Sequence, residues 1–444
     1  MRIALNLGGD SGGDRAGQGL PSYAAVMLLA HPLTEPAGLA VSPLVMATVS
    51  LCLVAAADRL TRPRSGVDSD GGAPPEEPGP DRPDHRTADD SGRYGDDRLS
   101  AVQWVTRGIG LALLVLAIVA GRLGNPAELQ NIAPALVVGA GWPLLLIASA
   151  VAGPVWRWLN PWDTLARLVS PVAGGEAPGG AGTPDVGWAL PGAAVVAWYL
   201  YLFDGALSPR AVSTALAFYT LATLSGCLLV GRREWLERGE VFTLLFGMTG
   251  RLRRRRLLRW APPRNADLVL GLLAGGGLLW LLRNSQLRDD LAMGTGAALG
   301  GILGLATCCG VAALLLRAAG RRPVTRGTVT AAMVPTVAAI LITAGLSRSR
   351  LPTSLQLFPE LIVDPLGRGW TLFGSEVVAN PTPLVNPALA LLQVAVLTAG
   401  GVVSAVVARR RWARADAPER GTRGPALLVS CVLVATAVLA VALT

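Results

Sequence analysis

Long apolar runs, each close to the thickness of a bilayer core, alternate with short polar stretches along almost the whole chain. They fall at 39–57, 105–121, 132–151, 188–203, 211–230, 268–282, 291–316, 328–346, 388–408 and 426–443. The pattern predicts an all-α fold, a polytopic integral membrane helical bundle of about ten transmembrane helices. Pro134, Gly139, Gly141 and Pro143 interrupt the third run, so a kink is expected there, because each proline removes a backbone donor. Gly275, Gly276 and Gly277, and then Gly296, Gly300 and Gly304 at four-residue spacing, mark close helix approach.

Between the fifth and sixth runs lies the stretch Trp235 to Arg264. Glu237 and Glu240 lead into Val241, Leu244, Leu245 and Met248, whose spacing gives one apolar face on a helix. This helix is expected to lie along the membrane surface, with Phe242, Leu245 and Phe246 toward lipid or protein. Arg251, Arg253, Arg254, Arg255, Arg256 and Arg259 follow and place this hinge on the cytoplasmic side. The same arginines are candidate contacts for anionic lipid headgroups.

Counting outward from the hinge gives an extracytoplasmic tail (1–37), a first span (38–57), a disordered Pro/Gly/Asp-rich cytoplasmic linker (58–104) and spans two to five (105–230). The hinge (231–266), spans six to eight (267–346), an extracytoplasmic loop (347–385) and spans nine and ten (386–444) complete the order. Both termini are then extracytoplasmic. A second interfacial motif precedes the hinge: Asn160 as helix N-cap, Pro161 at the first helical position, Trp162, and Asp163 in the first turn. Its tryptophans fit an interfacial belt, as Glu237 and Glu240 do at the hinge.

Composition narrows the function classes. The chain is 51% hydrophobic with a net charge of +9, and its charge is gathered in loops, which excludes an ordinary soluble domain. No stacking platform or recognition motif accompanies the basic residues, so no nucleic-acid partner is expected. The 39 basic residues are all Arg, the bias of a GC-rich, actinobacterial-type genome, and the bilayer in question is a bacterial plasma membrane. Five cysteines without CxxC spacing read as packing residues. With His31 and His85 alone, both outside the apolar runs, no multi-histidine metal centre forms, and no cofactor is expected.

No nucleophile elbow, zincin or phosphate-loop motif occurs. No acid or histidine stands near the centre of an apolar run, and Asp204, Asp267 and Arg283 read as solvated boundary residues. The remaining polar concentration is Glu360, Asp364, Arg368 and Trp370, a possible outer-loop site. There Pro365 and Gly367 predict a tight turn, braced by an Asp364–Arg368 ion pair and anchored by Trp370.

Several segments carry a family resemblance: QNIAPALVVGAGWPLLLIASAVAGPVWRWLNPWDTLARL, WLERGEVFTLLFG, DPLGRGWTLFG and LLQVAVLTAGG. Across 131–408 the chain resembles multi-pass bacterial membrane proteins called fenitrothion hydrolase. The resemblance implies a polytopic membrane protein and an organophosphate-ester hydrolase activity. It also implies histidines that are missing here, in the eighth run and at Gly401 after Ala399 and Gly400. The expectation is therefore a non-enzymatic permease-like module or a subunit of an envelope complex, embedded in the bilayer beside other membrane proteins. The alternatives are the resembled membrane hydrolase and a scaffold that binds anionic lipids at its cytoplasmic face.

Overall fold

The computed structural model describes residues 43–60, 100–169, 184–253, 256–284, 323–347, 349–370, 387–413 and 423–442. The predicted N-terminal tail, most of the 58–104 linker, the apolar run 291–316, both histidines, Arg254 and Arg255 lie outside them. Among the described residues every regular element is a helix. In chain order they are α1 (Pro43–Leu60), α2 (Ala101–Leu123), α3 (Ile132–Ala152), α4 (Trp156–Leu159), α5 (Pro161–Val169), α6 (Ala189–Tyr201) and α7 (Pro209–Val230). Then come α8 (Arg232–Arg238), α9 (Val241–Thr249), α10 (Ala266–Arg283), α11 (Pro323–Gly345), α12 (Leu351–Val363), α13 (Pro387–Trp412) and α14 (Arg423–Ala442).

Each apolar run that the structure describes is a helix. Six helices are long and apolar enough to cross a membrane: α2, α3, α7, α10, α11 and α13. That is four fewer than the ten runs counted in the sequence: α1, α14 and the 13-residue α6 are not among the six, and one run is not described. The expected irregularity in α3 is a wide turn at Ala135–Gly139, closed by Ala140 N–H to Ala135 C=O at 2.7 Å. In α10 and α11, 78% and 83% of the apolar window is buried inside the protein, against 28% in α2 and α7. The former are therefore central, whereas the latter present most of their surface outward.

The fold departs from a simple up-and-down bundle at two places. Gly153 (φ 96°) turns the chain back at the end of α3, and Gly231 (φ 95°) does the same after α7. Positive φ carries little steric penalty only for glycine. Each turn is followed by a short helix that climbs again and a second that descends: α4 with α5, and α8 with α9. Trp235 of α8 packs on Gly226 and Glu240 bonds Tyr219, so α8 runs antiparallel to α7. Trp162 meets Thr220 and Ala166 packs with Cys227, so α5 runs down alongside α7.

The tips of both hairpins stand at half height. Leu159 abuts Gly110 near the middle of α2, Phe242 packs on Trp142 in the middle of α3, and Glu240 bonds Tyr219 midway along α7. These are re-entrant helical hairpins, and both begin at the same end of the bundle, because Gly250 at the foot of α9 rests on Gly153 and Pro154.

The hairpins also repeat. Asn160 and Glu240, Trp162 and Phe242, and Asp185 and Asn265 each stand 80 residues apart and meet or serve as equivalents. Trp162 and Phe242 stack with ring centroids 5.7 Å apart and planes 13° from parallel. Asn265 Nδ2 donates to Asp185 Oδ1 at 2.7 Å, and a parallel bridge joins Asp185 to Arg264 just before α6 and α10. Descending helix, hairpin and ascending helix thus occur twice, as α3 to α6 and as α7 to α10.

The remaining helices pack through small residues. A Cβ on Gly400 of α13 would strike Ala339 and the Pro335 carbonyl of α11, and one on Gly401 would meet Val54 of α1 and Val434 of α14 at 2.8 and 2.9 Å. Position 401 is thereby closed to an imidazole. Buried hydroxyl pairs, Thr336 with Ser404 at 2.7 Å and Ser50 with Thr398 at 2.8 Å, add interhelical hydrogen bonds.

Candidate functional site

The two hairpin tips bring buried polar side chains together inside the bundle. Asn160 lies in the extended region before α5, and its Oδ1 accepts from the amides of Trp162 at 3.0 Å and Asp163 at 3.1 Å. Glu240 does the same for α9 with a carboxylate. Its Oε1 accepts from the Phe242 amide at 3.0 Å and from the Tyr219 hydroxyl at 2.5 Å. Its Oε2 accepts from the Thr243 amide at 2.6 Å and from the Thr243 hydroxyl.

The tips are joined directly, since Asn160 Nδ2 donates to Thr243 Oγ1 at 3.0 Å. Thr243 therefore links the amide of one hairpin to the acid of the other. An aromatic box of Trp142, Trp156, Trp162, Tyr219, Phe242 and Phe246 surrounds this chain, with neighbouring ring centroids 4.8–6.1 Å apart. Glu240 is only 1% exposed and Asn160 fully buried.

Below the tip of the first hairpin, Asp163 is fully buried and holds three arginines. Its Oδ2 meets Arg107 of α2 and, at 3.5 Å, Arg167 of α5; its Oδ1 accepts from Arg232 of α8 at 2.7 Å. Arg107 also donates to the Arg157 carbonyl at 3.2 Å. One carboxylate thus ties α2, α5 and α8 together and leaves a net positive charge at the foot of the hairpins. A second buried acid, Asp267, grips Arg326 across α10 and α11 at 3.0 and 3.1 Å.

These positions correct several expectations. Asn160, Trp162, Asp163 and Glu240 are buried at half height or just below rather than interfacial, and only Trp158 and Glu237 keep substantial exposure. The helix after Glu240 does not lie on a surface with one oily face. Val241, Leu244, Leu245, Phe246 and Met248 are buried and Phe242 partly so, because α3, α4, α6, α8 and α11 pack against it. An acid does stand near the centre of a span, since Glu240 reaches Tyr219 from a segment outside the apolar runs. Asp267 is not solvated either, being 1% exposed, whereas Asp204 pairs with Arg283 at an exposed edge, 2.7 Å apart.

The outer turn forms without its expected ion pair. Asp364 Oδ2 accepts from the amides of Gly369 at 2.6 Å and Trp370 at 3.0 Å, and the Arg368 side chain is exposed. Gly367 (φ 65°) and Gly369 (φ 88°) let the backbone wrap the carboxylate, so main-chain donors occupy the place expected of the guanidinium. Burial pushes the Asp364 carboxyl up, but the amides of Arg368, Trp370, Gly369 and Gly367 together outweigh it and hold it below the usual carboxylate value. The turn clasps the start of α3, with Asn125 N–H on Leu366 C=O at 2.7 Å and Ile132 N–H on Pro365 C=O at 3.2 Å. Glu360 is half-buried one turn earlier on α12, and Trp370 is 57% exposed.

At the opposite end of α12 Arg350 is almost wholly buried, its guanidinium 4.1 Å from the Trp280 ring centroid and 5.2 Å from that of Tyr201. It donates to the Leu200 carbonyl in the last turn of α6, where a cation complements the helix dipole. Burial lowers its pKa to about 10. Among the hinge arginines, Arg251 lies over Trp260 and bonds the Gly247 carbonyl, and Arg253 bonds the Ala152 carbonyl at the foot of α3. These cap helix ends, while Arg259 is exposed.

Among the described residues no group of histidine, cysteine, aspartate and glutamate is arranged to hold a metal ion. Fold and site together define an all-helical bundle of membrane-spanning dimensions that carries two re-entrant hairpins. No family model, curated protein or solved structure matches this chain.

Proposed function

We propose that the protein is a permease-like module of about ten spans in a bacterial plasma membrane, and that small polar solutes cross it where the two hairpin tips meet. The supporting observation is the crossing of two half-helix N-termini at half height, with Asn160, Thr243 and Glu240 linked across it. Discontinuous helices whose N-termini meet near a bilayer midplane supply polar groups where unbroken helices supply none. The duplicated helix–hairpin–helix unit fits the same reading, since internal repeats place such sites at their interface.

The arginine-rich foot, with Arg107, Arg167 and Arg232 on Asp163, then faces the cytoplasm. Exposed Arg253 and Arg259 lie at the level of anionic headgroups. Single cysteines at positions 253 and 370 test the orientation: an impermeant thiol reagent added outside intact cells should label the second and spare the first.

The function is tested with the full chain in liposomes, by light scattering after osmotic challenge with glycerol, acetate or inorganic phosphate. At least one solute should equilibrate faster than in protein-free vesicles, and Asn160→Trp, which fills the crossing, should remove the excess. Equal rates for all three solutes with and without protein would overturn the reading.

A further inference from the structure

The repeat supplies its own control for Glu240. At the equivalent position Asn160 caps α5 with a neutral amide and makes the same two backbone bonds, so closing the helix requires an acceptor there and not a charge. An ionisable group at half height among apolar helices is costly and is retained where it is used. We infer that Glu240 is a proton-binding site, and that Thr243 transmits its protonation state to the opposite hairpin. The inference rests on the permease-like reading for its purpose, with the proton as the coupled or conducted ion.

The hydrogen bonds define what protonation must change. As a carboxylate Glu240 accepts from two amides and two hydroxyls, which fills both oxygens with donors. An added proton makes one oxygen a donor, so one present donor has to turn away. The amides are fixed by α9, whereas the hydroxyls of Tyr219 and Thr243 rotate and accept as readily as they donate. If the proton resides on Oε2, Thr243 Oγ1 changes from donor to acceptor toward Glu240 while still receiving Asn160 Nδ2. Its hydroxyl hydrogen then leaves the inter-tip chain. No bond is made or broken except O–H: the proton comes from bulk water and returns there.

The charged and titratable surroundings are few. Tyr219 and Cys227 of α7 interact with Glu240, while the charges of Asp163 and Arg232 reach Cys227. Arg232 is engaged by Asp163. From α6, Gly192 meets the neighbouring Val241 and brings no charge.

The test is infrared difference spectroscopy of the full chain in lipid nanodiscs, acidic minus alkaline buffer. The wild type should show a protonated-carboxyl C=O band that Glu240→Gln removes and Glu240→Asp retains at a shifted frequency. Tyr219→Phe and Thr243→Val should each move the band, because each takes away one hydroxyl partner. A spectrum without such a band, or a band unchanged in folded Glu240→Gln, would overturn the inference. Should Glu240→Gln not fold, a band unmoved in both hydroxyl variants would overturn it equally. Solute flux in the osmotic assay with no titrating band would leave the permease-like reading standing and remove only the proton. A titrating band without flux would do the reverse.

Discussion

Asn160 and Glu240 occupy equivalent places in two hairpins, yet the first tip is neutral with its charge set one turn lower, and the second carries its acid at the tip itself. In the first hairpin Asp163 is neutralised by three arginines from other helices, so its charge serves assembly. In the second, Arg232 of α8 reaches across to Asp163, Arg233 and Arg238 are matched along the helix by Glu237 and Glu234, and Glu240 is left with hydroxyls and amides. A buried carboxylate surrounded by arginines holds together the helices that bring them. One surrounded by rotatable hydroxyls has two states available, and that separates a brace from a switch.

The largest expected effect comes from breaking the brace. Asp163→Ala takes the buried carboxylate away from Arg107 and from the brace it forms with α8, and breaking a buried ion pair from one side destabilises by about 3–5 kcal/mol. Glu240→Gln keeps an acceptor for the α9 amides, so its loss should be nearer about 1 kcal/mol. Thermal unfolding of both variants in one detergent measures the contrast. Equal losses would abolish the distinction between the hairpins.

Next come the glycines that let each hairpin approach its neighbour. A Cβ on Gly110 would strike the Leu159 carbonyl, and one on Gly226 the Trp235 indole. Either substitution to valine should cost about 1–3 kcal/mol by overpacking. Gly110 meets fixed backbone and Gly226 the side of a ring that can shift, so Gly110→Val should be the worse of the two. A smaller effect is expected at the cap itself: Asn160→Ala should cost about 1 kcal/mol, and Asn160→Asp should retain the cap while giving the first hairpin a titrating tip.

Much of this architecture is legible in the chain and some of it is not, for identifiable reasons. Hydropathy located each described helix that lies on an apolar run but not α4, α8 or α12, the last of which forms inside the stretch 347–385 read as a loop, whereas Asn160–Pro161 announced the start of α5 correctly, since capping is a local property. The surface position assigned to the helix after Glu240 failed because the apolar spacing that fits a membrane interface also fits a buried helix with a few extra contacts. Two of the three partners of Asp163 lie 56 and 69 residues away, and no local pattern connects them. The duplication is hidden as well: across 156–169 and 236–249 only Leu165 and Leu245 are identical. Tyr219 had a readable signal, a phenol in the middle of an apolar run, which needs a hydrogen-bond partner once buried.

Asp364 gives the smallest effect and sharpens the comparison, because it is a carboxylate held by backbone amides but set in a turn outside the spans. Its pKa is lower in the folded protein than in the unfolded chain, so folding favours the ionised form. The contribution is therefore complete above the ordinary aspartate value of about 4 and is lost as pH falls through the lower folded value. Asp364→Asn should leave a protein less stable near neutrality by about 0.5 kcal/mol, the low end for a hydrogen bond since the amide oxygen still accepts, and indifferent to that acid transition. Unfolding midpoints of wild type and variant should converge on acidification. A gap that stays constant down to the lowest accessible pH would mean that the turn is held by Gly367, Gly369 and the clasp on α3, with the charge of Asp364 contributing nothing.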